Sequence, residues 1–253
     1  MALISAKSHL KAVDLSPRDR LIVALDVDNF QEAERLVELL KNEVGMFKIG
    51  LELFTACGPA LFEMTARAGV KVFFDGKFHD IPNTVAGACR SAVKHRIDMF
   101  NLHALGGAKM MQAAARAVKE AELPDKQALR PALIAVTILT SMDEKTLAED
   151  LKVSQPLKKM VPYLAGLAQG AGLDGVVASA QEASLIREAV GDDFLIVTPG
   201  IRPAFAKSDD QSRIVTPGDA IARGADYIVV GRPILKAECP VDAARRVVAE
   251  LAC

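Results

Sequence analysis

The stretch LIVALD at residues 21–26 decides the fold, because it is the first of eight similar runs. Most of these runs are short, rich in β-branched residues and apolar at consecutive positions, which is typical of parallel strands covered on both faces. The other seven are MFKIG (46–50), KVFFD (71–75), MFNLHA (99–104), ALIAVT (132–137), GVVAS (175–179), FLIVTPG (194–200) and YIVVG (227–231). The pattern predicts eight parallel strands.

Helical patterns separate these runs. QEAERLVELLKNEV (31–44) has apolar residues at helical spacing, and in PVDAARRVVAEL (240–251) Pro240 suits a first helical position. Strands that alternate with helices predict an α/β fold, here a (β/α)8 TIM barrel that forms a single domain over residues 1–253. An open doubly wound sheet is the alternative. It is disfavoured because the first strand continues as LDVDNF (25–30), without the glycine-rich fingerprint expected there.

The bulk composition limits the possible partners. The 253 residues include 31 Lys and Arg and 32 Asp and Glu, so the net charge of −1 gives no reason to expect binding to nucleic acid or to a membrane. Four cysteines without CxxC spacing indicate reduced thiols rather than disulfides or a zinc site. Neither a signal-peptide pattern nor a run of membrane-spanning length is present. We therefore expect a cytoplasmic protein.

Polar residues at the strand ends are the candidates for chemistry, because barrel active sites lie at the carboxyl ends of the strands. The third run continues as DGKFHDIPNT (75–84). Side chains at i and i+2 share one face of a strand, so Asp75 and Lys77 can point the same way if the extended conformation continues through Gly76. With Lys48 on the adjacent strand, this predicts a Lys–Asp–Lys array in which opposite charges keep each other ionised.

Each of these residues also has a purely structural interpretation. Lys48 could be a strand-end lysine whose ammonium reaches water, and Asp80 could simply favour the start of a helix at Pro82. His79 and His103 are more often structural than catalytic at such positions. No set of residues has convincing metal-ligand spacing, and no cysteine or serine motif indicates a nucleophile. The sequence therefore predicts no metal site.

The last two strand ends have the features of an anion site. Loops after the seventh and eighth strands of such barrels often hold a phosphate. Gly200 and Gly231 allow backbone N–H groups to approach closely, and Arg202 and Arg232 offer planar donors that match phosphate oxygens. Two longer segments are candidate lids: residues 202–217 and residues 139–158.

Taken in order, these segments resemble the orotidine 5′-phosphate decarboxylase family. DGKFHDIPNT (75–84) resembles the family signature, which centres on Asp-x-Lys-x-x-Asp-Ile-Pro, and the likeness extends over residues 18–250. The other matching segments are ALDVD around Asp26, FKIGLEL around Lys48, HALGG after His103, VTILTS around Thr140, TPGIRP around Arg202, DDQSR around Gln211 and VVGRPI around Arg232.

The resemblance implies a homodimeric barrel that converts orotidine 5′-phosphate to uridine 5′-phosphate and CO2, the last step of de novo pyrimidine nucleotide synthesis, without a cofactor. It implies that Lys77 donates a proton to ring carbon C6 and that Asp75 lies beside the departing carboxylate. Lys48 and Asp80 would complete the charged network. Substrate contacts are implied for Asp26 at the ribose, Thr140 at the pyrimidine, Gln211, Arg202, Gly231 and Arg232 at the phosphate, and Ile81; Asp80 and Thr84 would reach in from the other subunit.

Two rival functions stay open. A metal-dependent sugar-phosphate decarboxylase or aldolase would use a similar barrel and a similar Asp-x-Lys-x-x-Asp motif, although Lys48, Thr140 and the Ile-Pro-Asn-Thr continuation (81–84) disfavour it. A non-catalytic barrel that binds a phosphorylated ligand would not need a lysine–aspartate array opposite the phosphate end. We expect no second catalytic domain within the 253 residues.

Overall fold

The computed structural model describes residues 15–125, 128–206 and 215–252. Within these residues, eight parallel strands form a closed barrel in which each strand pairs with the next and the last pairs with the first. The strands are β1 (Leu21–Ala24), β2 (Met46–Ile49), β3 (Val72–Phe78), β4 (Met99–His103), β5 (Ala132–Val136), β6 (Gly175–Val177), β7 (Leu195–Thr198) and β8 (Tyr227–Val230). The (β/α)8 fold is confirmed, and each strand lies within or overlaps one of the eight apolar runs.

The helices surround this barrel. They are α1 (Phe30–Leu40), α2 (Leu51–Cys57), α3 (Ala60–Ala68), α4 (Pro82–Lys94), α5 (Gly107–Glu120), α6 (Glu144–Glu149), α7 (Leu157–Gly170), α8 (Ala183–Val190), α9 (Pro217–Ala222), α10 (Arg232–Leu235) and α11 (Pro240–Leu251). Pro240 starts α11, as predicted. Among the described helices, none is long and apolar enough to cross a membrane.

The first helix ends earlier than its apolar pattern indicates. α1 stops at Leu40, and Val44 is buried in the connection that leads into β2. The next residue, Gly45, donates its backbone N–H to the carbonyl of Leu21 at 3.1 Å. A Cβ at Gly45 would lie 2.5 Å from the backbone of Asp19, so only glycine fits this approach to the barrel. The chain must therefore leave the helix before it reaches Gly45.

One of the two candidate lids is partly helical. Within residues 139–158, α6 occupies Glu144–Glu149 and α7 begins at Leu157. The carboxylate of Glu144 accepts the backbone N–H of Leu157 at 3.0 Å, which ties the two helices together. In the other candidate lid, residues 202–217, positions 207–214 lie outside the described part of the chain. The described residues on either side are joined by a hydrogen bond from the backbone N–H of Arg202 to the carbonyl of Val215 at 3.1 Å.

A buried ion pair holds the amino ends of β7 and β8 against α8. Arg187 donates to the carboxylate of Asp226 at 2.6 Å and also to the carbonyls of Phe194 and Gly224. Asp226 accepts the N–H of Ile196 at 2.7 Å. Burial raises the pKa of Asp226 above its ordinary value, and the attraction of Arg187 offsets only part of that effect. The pair therefore fixes geometry more than it adds net stability.

We predict that Asp226→Ala lowers the free energy of unfolding by about 3–5 kcal/mol, because it leaves the buried Arg187 guanidinium without its counter-charge. Urea-induced unfolding followed by circular dichroism measures this loss. Glu188→Ala, which removes an exposed carboxylate from the same helix, is the control and should change stability by less than about 0.5 kcal/mol. Equal effects of the two variants would contradict the structural role of the pair.

Candidate active site

The inner face of the barrel changes from apolar to polar towards the carboxyl ends of the strands. Met46, Phe73 and Met99 belong to the apolar cluster inside the barrel. Side chains two residues further along a strand point to the same face, so Lys48, Asp75 and Asn101 follow them directly on the inside. The strand period thus places polar side chains from β2, β3 and β4 side by side at the end where barrel active sites lie.

Four charged side chains meet there. Lys77 Nζ lies 2.7 Å from Asp75 Oδ1, and Lys48 Nζ lies 3.2 Å from Asp75 Oδ2. Lys48 Nζ is also 3.8 Å from Asp26 Oδ1, which follows β1. The side chains of Lys48 and Asp75 are only 13% and 14% exposed, whereas Asp26 is half exposed. The structure therefore brings the predicted Lys–Asp–Lys array together and adds Asp26 at its edge.

Asp75 is held in its ionised form. Burial alone would raise the pKa of this carboxyl, but the charges of Lys48 and Lys77 and hydrogen bonds from Lys77 and Asn101 outweigh burial. The pKa of Asp75 consequently lies below its ordinary value of 3.8. A carboxylate that stays charged over the whole neutral range keeps both lysines in place.

Lys77 reaches Asp75 by a route that differs from the predicted one. The extended conformation does not continue: Lys77 has a φ of +49°, in the left-handed region, and the pairing of β3 with β4 shifts register between Phe74 and Phe78. Such a conformation costs a non-glycine residue about 1–3 kcal/mol. Gly76 lies beside it, and a Cβ there would lie 2.8 Å from the ring of Phe74, so a larger residue would force that ring to move. The strand is thus bulged at the position of the charged lysine.

Asn101 is a member of the cluster that the sequence interpretation missed. Its side chain is completely buried, accepts the backbone N–H of Lys77 at 2.7 Å and donates to Asp75 Oδ1 at 2.7 Å. The available signal was an asparagine inside the apolar run MFNLHA (99–104). A buried amide needs partners for its N–H and C=O groups, so it indicates a polar neighbour on the inner face.

The two histidines next to the cluster lie close together, with their ring planes tilted by 37°. The rings of His79 and His103 have their centroids 5.5 Å apart, His79 on the exposed side and His103 half-buried. Burial, followed by electrostatic interaction with His79 and Lys77, lowers the pKa of His103 below 6.5. His103 is therefore mostly neutral at pH 7. In the described ranges, no group of three or more His, Cys, Asp or Glu side chains is arranged to hold a metal ion.

The strand ends that carry the predicted anion site lie side by side in the closed barrel. Gly231 follows β8 and touches the cluster, since a Cβ there would lie 2.8 Å from Asp26 Oδ2. Arg232 comes next and is exposed. Gly200 follows β7 with a φ of +78°, and Arg202 beyond it is half-buried. Because β7 pairs with β8, both arginines follow adjacent strands at the same end of the barrel.

A cavity of about 890 Å³ opens at the ends of β5, β6 and β7. Its lining includes Thr140, Ser179, Gly200 and Ile201. Thr140 and Gly200, predicted to face the pyrimidine and the phosphate respectively, thus border one open space. The charged cluster lies on the other side of the barrel mouth, at the ends of β1 to β3.

Four predicted site residues lie outside this arrangement. Asp80, Ile81 and Thr84 are exposed at the start of α4, and Ile81 is 67% exposed. Asp80 accepts the N–H of Ile81 at 2.6 Å and forms no ion pair within the described chain. Gln211 lies outside the described residues.

The fold and the site together define a class of protein. A closed (β/α)8 barrel with a lysine–aspartate cluster at the carboxyl ends of β1 to β3, and glycine–arginine pairs after β7 and β8, is typical of the barrel enzymes that bind phosphorylated substrates at this end.

Comparison with known proteins gives the particular family. Residues 19–247 match the family model described as orotidine 5′-phosphate decarboxylase / HUMPS family. The chain is 55% identical over 235 residues to orotidine 5′-phosphate decarboxylase of Syntrophotalea carbinolica, with 93% of this chain and 96% of the relative covered. The crystal structure of orotidine 5′-phosphate decarboxylase from Lactobacillus acidophilus matches with a TM-score of 0.82 at 36% identity, covering 92% and 99% of the two chains. The chain belongs to the orotidine 5′-phosphate decarboxylase / HUMPS family.

The depressed pKa of Asp75 predicts a pH-dependent contribution to stability. Because its folded pKa is below 3.8, the ionised carboxylate stabilises the fold above that pH, and the contribution disappears as pH falls through the folded value. Asp75→Asn should therefore be less stable than the parent at pH 7, and the difference should shrink below about pH 4. Urea unfolding at pH 7, 5 and 3.5 measures it. The control is Glu34→Gln, which changes an exposed carboxylate on α1 and should have nearly the free energy of unfolding of the parent at every pH. If the stability difference between Asp75→Asn and the parent does not change with pH, the pairing is contradicted.

Proposed function

We propose that this protein decarboxylates orotidine 5′-phosphate to uridine 5′-phosphate and CO2, the last step of de novo UMP biosynthesis, without a cofactor. The observation that carries the proposal is the Lys48–Asp75–Lys77 cluster inside the barrel of a member of this family. Relatives that are 53–55% identical over more than nine-tenths of the chain are named orotidine 5′-phosphate decarboxylase, which favours this activity over the metal-dependent rival.

The reaction poses an electrostatic problem. When CO2 leaves, the electron pair of the broken bond lies in the plane of the pyrimidine ring, where the ring π-system cannot spread it directly. Many decarboxylases use a cofactor as an electron sink. A protein without one must place a positive charge at the developing carbanion and then deliver a proton.

Lys77 suits both tasks. Its ammonium is held at 2.7 Å by Asp75 and is 27% exposed, so it is fixed in direction and still faces the barrel mouth. We assign it as the proton donor to C6. Two unit charges about 4 Å apart attract by roughly 4 kcal/mol at an effective dielectric of 20. One contact of this size falls short of the largest enzymatic barrier reductions, about 23 kcal/mol, so further contacts are needed.

Asp75 and Lys48 hold the Lys77 ammonium in position. Asp75 bridges the two ammonium groups, one on each carboxylate oxygen. We assign Asp75 to the position beside the departing carboxylate, and Lys48 to the network that keeps Asp75 and Lys77 in register. Asp26, at the edge of this network and against Gly231, is exposed enough to accept a hydrogen bond from the ribose.

The phosphate end supplies binding energy away from the reacting carbon. Arg232, Arg202 and the backbone at Gly231 are assigned to the phosphate, with Gln211 from the adjoining segment, and Thr140 to the pyrimidine. Contacts to a remote group can stabilise a closed, water-poor complex and so favour the transition state. Thr140 and Gly200 line one cavity, which supports a ligand that contacts both of them.

We further propose a homodimer in which Asp80 and Thr84 act in the active site of the partner subunit. Their exposure supports this, as does that of Ile81, a large apolar side chain next to Asp80 in the sequence that is 67% exposed. Burial of this side chain against a second copy of the chain would remove apolar surface from water. Ile81 is assigned to the same shared site.

The free thiols support a proposal about the cellular location. Cys57, Cys89 and Cys239, the cysteines in the described ranges, are all free. Free thiols without disulfides are the rule in the cytoplasm. We therefore propose that the enzyme is cytoplasmic, where it needs neither a nucleic-acid nor a membrane partner.

Lys77→Ala tests the proton donor. The variant should lose turnover of orotidine 5′-phosphate by about 10⁴-fold or more, while its far-UV circular dichroism spectrum shows that it still folds. The absorbance change on conversion of orotidylate to uridylate, recorded in the presence of EDTA, is the assay. Lys94→Ala, which removes an exposed lysine from α4, should keep parental activity in the same buffer. Near-normal turnover by Lys77→Ala would exclude it as the donor, and complete inhibition of the parent by EDTA would favour the metal-dependent rival.

A mixing experiment tests the shared site. Lys77→Ala and Asp80→Ala should each be nearly inactive, but hybrid dimers would contain one site with both residues intact. With random exchange, half of the dimers are hybrids with one good site each, so about a quarter of parental activity should return. Mixing each variant with itself is the control. A mixture that exchanges subunits and stays inactive would show that Asp80 serves its own chain.

A further inference from the structure

The amide of Asn101 closes a ring of hydrogen bonds around the two central residues of the site. Asn101 Oδ1 accepts the backbone N–H of Lys77, and Asn101 Nδ2 donates to Asp75 Oδ1, both at 2.7 Å. The same oxygen of Asp75 accepts from Lys77 Nζ at 2.7 Å. Asn101 thus touches the backbone of one residue and the carboxylate of the other, and it lies on a different strand.

The orientation of this amide is dictated by its partners. A backbone N–H can only donate and an ionised carboxylate can only accept, so the oxygen must face Lys77 and the nitrogen must face Asp75. An aspartate at this position would keep the acceptor and lose the donor, and an alanine would lose both. The side chain is completely buried, so water does not replace either bond easily.

The contact to Lys77 lies at the bulge in β3. The register of β3 against β4 shifts between Phe74 and Phe78, which leaves the N–H of Lys77 without its regular place in the ladder. Asn101, on the facing strand β4, supplies the acceptor instead. Its side chain therefore stabilises the left-handed backbone of Lys77, and that backbone decides where the lysine side chain points.

We propose that Asn101 is a positioning residue for decarboxylation, which holds the Lys77 ammonium and the Asp75 carboxylate in one fixed relation. This inference rests on the proposed function, because it assigns Asn101 to the reaction only through those two residues. A misplacement of a reacting group by about 1 Å can cost roughly 100-fold in rate. Loss of the amide should therefore affect the chemical step far more than the binding of the nucleotide.

Kinetics of Asn101→Ala and Asn101→Asp test the proposal. For Asn101→Ala, kcat with orotidine 5′-phosphate should fall about 100-fold, while KM and the affinity for uridine 5′-phosphate change by less than about threefold. The control is Thr137→Val, which removes a hydroxyl that is also completely buried; it lies just past the end of the neighbouring strand β5 and donates to the carbonyl of Val177 at 3.1 Å. Thr137→Val should keep kcat within about twofold of the parent.

The pH dependence of Asn101→Asp distinguishes positioning from a general structural role. At pH 8 the new carboxylate would repel Asp75, and burial beside another carboxylate raises the pKa of such a pair. When the two carboxyl groups take up one proton, an O–H between them replaces the hydrogen bond that the amide donated. The pair then carries a single negative charge, as Asp75 and Asn101 do in the parent. The ratio of variant to parent kcat should therefore rise as pH falls from 8 to 5.5. The near-isosteric Asn101→Asp also decides the matter if Asn101→Ala does not fold.

The outcomes separate this inference from the function on which it rests. A parent protein that does not turn over orotidine 5′-phosphate would overturn the proposed function and the role of Asn101 with it. Turnover by the parent together with a kcat within threefold for Asn101→Ala, or with a pH-independent defect in Asn101→Asp, would overturn only the role of Asn101. Asn101 would also be only a structural residue if Asn101→Ala lost nucleotide affinity by the same factor as kcat, or if Thr137→Val lost as much kcat as Asn101→Ala.

Discussion

The Asp75 carboxylate, held between the ammonium groups of Lys48 and Lys77, is the interaction on which the site depends. Isolated charges inside a barrel would be costly, since burial penalises the charged form of each. Together the three side chains satisfy one another, and the depressed pKa of Asp75 shows that attraction outweighs burial. The barrel can therefore keep two ammonium groups close together and poorly hydrated, which water or a flexible loop could not do.

Much of this was accessible from the sequence, because parallel strands have a simple period. The eight apolar runs became the eight strands, and the array of Lys48, Asp75 and Lys77 could be predicted from the third run and the strand next to it. The bulge at Lys77 was not accessible, since the sequence predicted an extended chain through Gly76. The left-handed backbone depends on a register shift against β4 and on a hydrogen bond that Lys77 donates to a residue 24 positions away. Such contacts have no local pattern, and the same is true of the early end of α1 before Gly45, which is set by the backbone of Asp19.

The molecule separates its structural and chemical tasks along the barrel axis. At the amino ends of the strands, the Arg187–Asp226 pair and the apolar interior around Tyr227 fix β7 and β8. At the carboxyl ends, the inner face is charged and the backbone is locally strained at Lys77. Strain and like charges destabilise a fold unless the surroundings hold them in place. A closed sheet with an apolar interior at the amino ends of the strands supplies that rigidity. The carboxyl ends can therefore carry the charged side chains of the site.

The charge balance of the cluster indicates how such a site would favour decarboxylation. Lys48 and Lys77 contribute two positive charges, and Asp75 and Asp26 contribute two negative ones, so the described cluster is neutral overall. The reacting group of the substrate carries one negative charge as a carboxylate and still carries one as a ring carbanion. Net charge alone therefore cannot distinguish the two states. The discrimination must come from position: with the residue roles proposed above, the negative charge would move away from Asp75 and towards the ammonium of Lys77 as the bond breaks. In such a site, the distance between the Asp75 carboxylate and the Lys77 ammonium must be fixed before the substrate binds. The hydrogen bonds among Asp75, Lys77 and Asn101 fix this distance.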